Sequence, residues 1–548
     1  MRAVENFLAC LLGTKSLVKS RIQSGIMGSD NMGNILVITR KFHLTQFLSC
    51  VLFRRAQAIS WLSLVFISGI AQGESPEDSL DLSQVQRHLR FIASDELGGR
   101  MVGTLGNQIA ARYISEHFRS FGVQIVPGMK DYFQKVSLEL VGSPKEGFIQ
   151  MGATTLRAGT DFVSLGSTLE AGSYQWVKVF LESPNTPGEG SSDYRDLQVD
   201  QKVIIGFLGT GKDRETALRE TLRLAAERGA VALMEVYKGD NWERLRQYLM
   251  RSRIRLQQSG PWPPNAPDLP HFIVNGDSME GAVWREEDIV LDVRGIEKKQ
   301  FSSSNVVGVI PGTDKRVAQE FVLLVAHYDH IGTSLLLPGA SQDDYIFNGA
   351  RDNGIGVVAL ISAAKILSHR PPRRPVIVLA TTAEEQGLLG SKHYVSTPVV
   401  PLKDTVFALN VDAAGFDSTD AVTILGLNRT TAAAQIRKSC LQYGLEPLAG
   451  PPQVQSLFTR SDNFIFAKSG IPAPTFTPVI RSLHGKAFQH YHQPSDEVED
   501  DFSFEYLLRF SQAFSAAARS IADSDKTPRW VPGDPLRGVS LELYGDLN

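Results

Sequence analysis

The sequence predicts an α/β protein with a mostly parallel central sheet flanked by helices, interrupted by a smaller β-rich α/β insertion. Three observations predict it. From Asn305 onward, short apolar runs alternate with amphipathic helical stretches, the pattern of strand–helix–strand units. Residues 321–326 (FVLLVA) are apolar throughout, as in a strand covered on both faces. Between about 141 and 295 the chain instead reads as Gly-punctuated strands around a small strand–helix–strand block. At 548 residues the chain is too long for one ordinary core.

The elements follow in order. Residues 53–73 (FRRAQAISWLSLVFISGIAQG) open with Arg54 and Arg55, continue through an apolar stretch at 58–70, and end in small residues at Gly69, Ala71 and Gly73. This is a secretory signal pattern, with cleavage near Ala71 or Gly73. Its apolar stretch is short for a bilayer span, so the expectation is a secreted or periplasmic protein without a stable membrane span. The fifty or so residues ahead of it show no strong periodicity and read as an early start codon or a dispensable extension. Residues 74–80 read as a polar linker. An N-capped helix and a loop are expected over 81–100. A second helix over 106–121 carries Ile109, Tyr113, Ile114, Phe118 and Phe121 at helical spacing.

Within the insertion, 202–209 is a buried strand, Leu218, Leu222 and Ala225 mark a helix face, and 231–236 is the next strand. Residues 257–270 form a Pro-rich loop. Further strands are expected at 376–381, 405–411 and 473–476, with a helix over 354–369 and a closing helix over 502–521. The tail after Asp523 reads as irregular. Five segments result: 1–73, 74–140, 141–295, 296–525 and 526–548.

Composition excludes several classes. The first 73 residues carry a net charge of +6 and the remainder −9, so a mildly acidic body argues against nucleic acid as a partner. Of three cysteines only Cys440 lies beyond residue 73, so the body has no internal disulfide, which is neutral on compartment.

The chemistry sits where the apolar runs end. His327, Asp329 and His330 follow 321–326; Arg351-Asp352-Asn353 precede the 354 helix; Glu384-Glu385 follow 376–381; Asp412 follows 405–411; His490, His492 and Asp496 lie in HYHQPSD. Strands of an open parallel sheet present their C-terminal ends to one crevice, so these groups converge there. Two histidines and three carboxylates exceed the needs of a single catalytic zinc, which takes three protein ligands and a water. They suit two cations sharing a bridging carboxylate, with one further carboxylate as general base. The adjacent Glu384-Glu385 pair fits that division. Each piece alone is commonplace: a strand-end histidine is more often structural, and Asp-Asn-Gly is usually a turn. The conjunction at consecutive strand ends is what points to a site.

The order HYDH, GARDNGIG, TTAEEQGLLGS, NVDAAG and YHQPSD resembles the co-catalytic di-zinc exopeptidases of metallopeptidase family twenty-eight, which include secreted bacterial leucyl aminopeptidases and glutamate carboxypeptidases. The opening HLRFIASDELGGRMVGTLGNQIAARYISEHFRSFG resembles the leader helices of bacterial members, and residues 141–295 resemble the protease-associated domain often inserted in them. The resemblance implies the zinc aminopeptidase fold, two zinc ions per chain and peptide substrates. It makes Asp352 the bridging carboxylate, His327 and Asp412 ligands of one zinc, and Glu385 and His492 ligands of the other. Glu384 matches the general base, Asp329 a group orienting the His327 imidazole, and Tyr491 the oxyanion-stabilising tyrosine. In that mechanism a water loses its proton to Glu384 and attacks the scissile carbonyl.

Two departures bear on the substrate pocket: Arg351 stands where many members have an acidic residue, and Asn463 follows Ser461-Asp462 where many have histidine. His330, His484 and His490 are expected beside the site or on the surface. The leading expectation is an aminopeptidase. The alternatives are a carboxypeptidase or dipeptidase using Arg351, Arg460 or Arg481, a single-zinc glutaminyl cyclase, and a non-catalytic binding protein.

Overall fold

The computed structural model describes residues 75–545, apart from 145, 166–168, 182–197, 209–213, 258–268, 280–288, 295–296, 336, 338 and 501. The signal-like segment at 53–73 and most of the Pro-rich stretch at 257–270 lie outside the described residues. Among the described residues no helix is long and apolar enough to cross a membrane.

A nine-stranded sheet organises the chain, in the order Glu446–Leu448, Ala421–Leu425, Thr475–Pro478, Thr405–Val411, Phe321–His327, Val376–Thr381, Lys298–Ile310, Phe133–Val141 and Arg253–Leu256. The sheet is mixed. Its four central strands, from Thr475–Pro478 to Val376–Thr381, run parallel. Lys298–Ile310, Phe133–Val141 and Arg253–Leu256 add antiparallel to one side, and Ala421–Leu425 adds antiparallel to the other. Parallel neighbours need crossovers, and the helices Ile355–His369 and Leu389–Ser396 lie between the three strands that need them.

Register decides what this sheet positions. His327 pairs with Thr381, and Val325 with Asn410, so the three parallel strands end together and release His327, Glu384-Glu385 and Asp412 at one edge. All residues of Val376–Thr381 and Thr405–Val411 are buried, as their unbroken apolar runs require. One face is covered by Ile355–His369 and Phe504–Ala522, whose Val358, Ile361, Phe510 and Phe514 share a core with Leu324, Val378 and Leu409. The helix Leu82–Ile92 adds Val85, Leu89 and Ile92 to that core; the Asp81 carboxylate caps it by accepting the Gln84 amide at 3.0 Å.

A second sheet of eight strands lies within residues 146–294 and has its own core, including Ile149, Val203, Met234, Phe272 and Leu291. Leu218, Leu222 and Ala225 of the helix Arg214–Glu227 pack on Ile204 and Leu233. One strand of this stretch leaves it: Arg253–Leu256 pairs with Phe133–Val141 on the main sheet, where Arg255 Nε lies 2.6 Å from Glu139 Oε1.

Two expectations are corrected. The stretch at 74–80 is not a linker: Pro76–Ser79 is a 3-10 turn, and Glu77 is buried with its carboxylate 2.8 Å from Arg519 Nε. The tail is not irregular either. Trp530 is buried in a hydrophobic cluster with its indole N–H donating to the Gly470 carbonyl, and Arg537–Tyr544 is a helix. Trp530, with Leu536, Leu543 and Tyr544 packed against the same cluster, docks a tail whose composition reads as loop.

Candidate metal centre

At the shared strand edge, Asp352 lies between two imidazoles. Its Oδ1 is 3.4 Å from His327 Nε2, and its Oδ2 is 3.3 Å from His492 Nε2. His327 Nε2 also lies 3.3 Å from Asp412 Oδ1, and His492 Nε2 lies 3.3 Å from Glu385 Oε2. Two clusters have donor atoms close enough to hold a cation: His327, Asp352 and Asp412, and His330, Asp352 and Glu385. Asp352 belongs to both. His492 Nε2 is shielded from solvent and flanked by two carboxylates at 3.3 Å without a well-formed hydrogen bond to either, a position that a cation between them would fill. The donor set of imidazole nitrogens and carboxylate oxygens suits zinc.

Several main-chain arrangements hold these groups. The Asp496 carboxylate, fully buried, accepts the Arg351 and Asp352 amides at 2.9 and 3.0 Å and so anchors the segment that carries the shared carboxylate. Asn353 Nδ2 donates to the Val411 carbonyl at 3.0 Å and to the His327 carbonyl at 3.4 Å, tying together the ends of two strands. Gly356 is needed here because a Cβ would fall 2.2 Å from the Asn353 side chain.

The Asp329 carboxylate lies 3.9 Å from His327 Nδ1 and has a second engagement as well. It accepts the amides of Glu384 and Glu385 at 3.1 and 3.4 Å, while the His327 Nδ1 faces the Asp329 main-chain oxygen at 3.2 Å. Asp329 therefore fixes the turn bearing the two glutamates, and its carbonyl fixes the His327 ring.

Glu384 and Tyr491 line the same pocket as His327, Asp352, Glu385 and Asp412. Burial holds the Glu384 carboxyl well above the usual carboxylate range; His327 opposes this, and Glu385, Asp412 and Asp462 add to it. Burial likewise raises the Tyr491 hydroxyl, with Asp352 and Glu385 adding, and its ring stacks on His492 at 3.9 Å. Ala413, Leu425, Leu457, Ile480 and Phe488 form an apolar wall.

The residues flagged as departures are turned away from the pocket. Arg351 reaches Asp496 Oδ1 and Glu499 Oε2, each at 3.3 Å, and stacks over Phe502. Asn463 Nδ2 donates to the Phe458 and Ala473 carbonyls. Arg481 is exposed beside Asp420. Arg460 does line the pocket. His484 is exposed and His490 Nδ1 lies 3.0 Å from Ser495 Oγ. His330 is fully buried, with Nδ1 2.7 Å from Glu385 Oε1; its place directly after Asp329, on the same strand end, was the available signal.

The model of Peptidase family M28 matches residues 305–518. That segment is therefore similar to peptidase family M28. Among curated relatives, aminopeptidase YwaD of Bacillus subtilis is 24% identical over 271 residues, covering 48% of this chain and 54% of its own. A vacuolar membrane protease of Lachancea thermotolerans is 26% identical over 211 residues, 37% of this chain and 20% of its own. The chain thus spans about half or less of these relatives. An aminopeptidase from Aneurinibacillus sp. strain AM-1 shares the fold, with a TM-score of 0.52 at 19% identity over 84% of this chain and 98% of that one.

A pH dependence follows from the geometry of this centre. In the metal-free site burial pulls the His492 imidazole down, but its contacts with Asp352 and Glu385 outweigh burial and raise it to about 10. A cation at that nitrogen must displace the proton, so binding releases protons. Zinc affinity is therefore expected to rise with pH through the neutral range, about tenfold per unit for one displaced proton. Competition titrations with a chromogenic chelator at pH 6, 7 and 8 check this; a flat profile would contradict it.

Proposed function

We propose that the chain is a zinc-dependent exopeptidase, most specifically an aminopeptidase with two zinc ions per chain. The observation that carries the reading is the Asp352 carboxylate set between His327 and His492, with Asp412 and Glu385 on its flanks and Glu384 in the same pocket. The names of the Bacillus and Aneurinibacillus relatives support the aminopeptidase reading. The apolar wall supports an apolar first residue in the substrate.

His327 and Asp412 would hold one zinc and Glu385 and His492 the other, with Asp352 shared. Bound there, the ions would polarise the scissile carbonyl and acidify a water. Glu384 takes the proton of the attacking water and passes it to the leaving amine. Asp329 fixes the Glu384 main chain. The Tyr491 hydroxyl donates a hydrogen bond to the oxyanion.

Residues 141–295 are read as a protease-associated module limiting access to the crevice. The segment at 53–73 is read as an export signal. A second reading, cleavage from the carboxyl end, is favoured by one observation: Arg460 lies on the pocket wall, where it could hold a substrate carboxylate.

The deciding experiment pairs zinc analysis of the purified chain with hydrolysis of leucine anilide and its N-acetyl derivative. The proposal expects about two zinc ions per chain, cleavage of the free amine alone, and activity lost on chelation and restored by zinc. Activity unaffected by exhaustive chelation would end it. Preferential cleavage of an N-blocked dipeptide would replace it with the second reading.

A further inference from the structure

The leader segment Ser94-Asp95-Glu96-Leu97-Gly98-Gly99-Arg100 lies outside the matched segment at 305–518, and no role above is assigned to its residues. Its arginine is fully buried behind the metal centre. The guanidinium donates to four main-chain carbonyls: Tyr328 from Nε at 2.9 Å, Gly349 from Nη2 at 3.0 Å, and Ile92 and Asn348 from Nη1. Tyr328 is flanked by His327 and Asp329. Asn348 and Gly349 open the turn that leads to Asp352. One side chain therefore spans the two segments that carry the ligands shared by one cation.

The local backbone is shaped for this placement. Gly98, Gly99 and Arg100 are all left-handed, with φ of 51°, 66° and 51°. A Cβ at Gly99 would meet the Gly332 and Phe347 carbonyls at 2.4 Å. Arginine adopts such a φ only where surrounding contacts over-determine it, and here the Arg100 carbonyl is held as well, accepting from Asn107 Nδ2 at 3.2 Å. Asn107 Oδ1 accepts from Ser303, which contacts Thr382, two residues before Glu384.

Electrostatics point the same way. Burial lowers the guanidinium to about 10, and the charges of Asp496, Asp329, Asp352 and Glu385 oppose that loss. The cation and the carboxylates behind which it sits stabilise one another. Arginine suits the position because its rigid fork reaches several carbonyls while its charge persists.

We propose that Arg100 is a positioning residue of the metal centre, holding the Tyr328 and Asn348–Gly349 main chains so that His327 and Asp352 are preset for zinc. The proposal rests on the two-metal reading above. It does not require Arg100 to touch substrate or metal.

The test measures zinc affinity of the metal-free full chain by chelator competition, for wild type, Arg100→Met and Arg100→Lys. Arg374→Met serves as control, because Arg374 is equally buried but bonds Glu320 and the 524–527 tail away from the site. Arg100→Met is expected to bind zinc about 10–100-fold more weakly, the usual loss when a group supporting a ligand is removed. Arg374→Met is expected to lower the thermal midpoint without changing zinc affinity. Should Arg100→Met fail to fold, Arg100→Lys decides: it keeps the charge but cannot span four carbonyls, and is expected to bind several-fold more weakly. Wild-type zinc affinity in either folded Arg100 variant overturns the proposal. Failure of the wild-type chain to bind zinc would instead overturn the two-metal reading.

Discussion

Replacement of Glu384 by glutamine is expected to lower kcat by about 10²–10⁴-fold, the typical contribution of a general base. Glutamine keeps the volume of the side chain, and the main-chain amide that Asp329 holds at 3.1 Å is untouched. Only the ability to take a proton is removed. The zinc content should therefore equal that of the wild type, since Glu384 is in neither of the clusters able to hold a cation. Both kcat and kcat/KM should fall together, as expected for an interaction made in the transition state. Steady-state kinetics on an amino-acid anilide, with metal analysis of the same sample, measure both quantities. A glutamine variant with wild-type turnover would remove Glu384 from the mechanism.

The second large effect is expected at Asp352. Its two oxygens face two different imidazoles at 3.4 and 3.3 Å. In Asp352→Asn one of them becomes an amide NH2, a donor that cannot ligate a cation. Each half of the centre then competes for a single oxygen. Zinc per chain after dialysis should drop below the wild-type value, and kcat/KM should fall by about 10³-fold or more, because Lewis-acid stabilisation is worth several kcal/mol. The metal-free variant should be somewhat less stable than the metal-free wild type at neutral pH, since burial and Glu385 oppose the Asp352 charge but His327 and His492 outweigh them and hold its carboxyl below the usual range. A cooperative thermal transition in the metal-free variant, with zinc lost, separates the role of the carboxylate from damage to the fold. Two tightly held ions and full activity in this variant would refute the shared-ligand assignment.

The strand ends were legible because an unbroken apolar run of six or seven residues has few alternatives to a buried parallel strand. Val376–Thr381 and Thr405–Val411 fall where their composition places them. The polar residue that follows such a run must emerge at the sheet edge, so His327, Glu384-Glu385 and Asp412 could be read as neighbours before any contact was known. His330 was less legible. A histidine three residues past the strand reads equally well as surface, and only the packing that buries it shows it turned onto Glu385.

What the linear chain determined by itself is the alternation of strands and helices and the chemical inventory at their ends, because both depend on local pattern. What only the tertiary structure decided is everything set by contacts between distant segments. Arg351 and Asn463 are turned away from the pocket because Asp496, Glu499 and two main-chain carbonyls bind them. The antiparallel flank of the sheet, with Arg253–Leu256 drawn onto it from the insertion, depends on pairing across more than a hundred residues. Arg100 reaches the metal centre from a leader segment more than two hundred residues away, through hydrogen bonds to carbonyls that carry no side-chain identity. A donor that reads main-chain oxygens leaves no matching residue type in the sequence, so no pattern of letters could have revealed it.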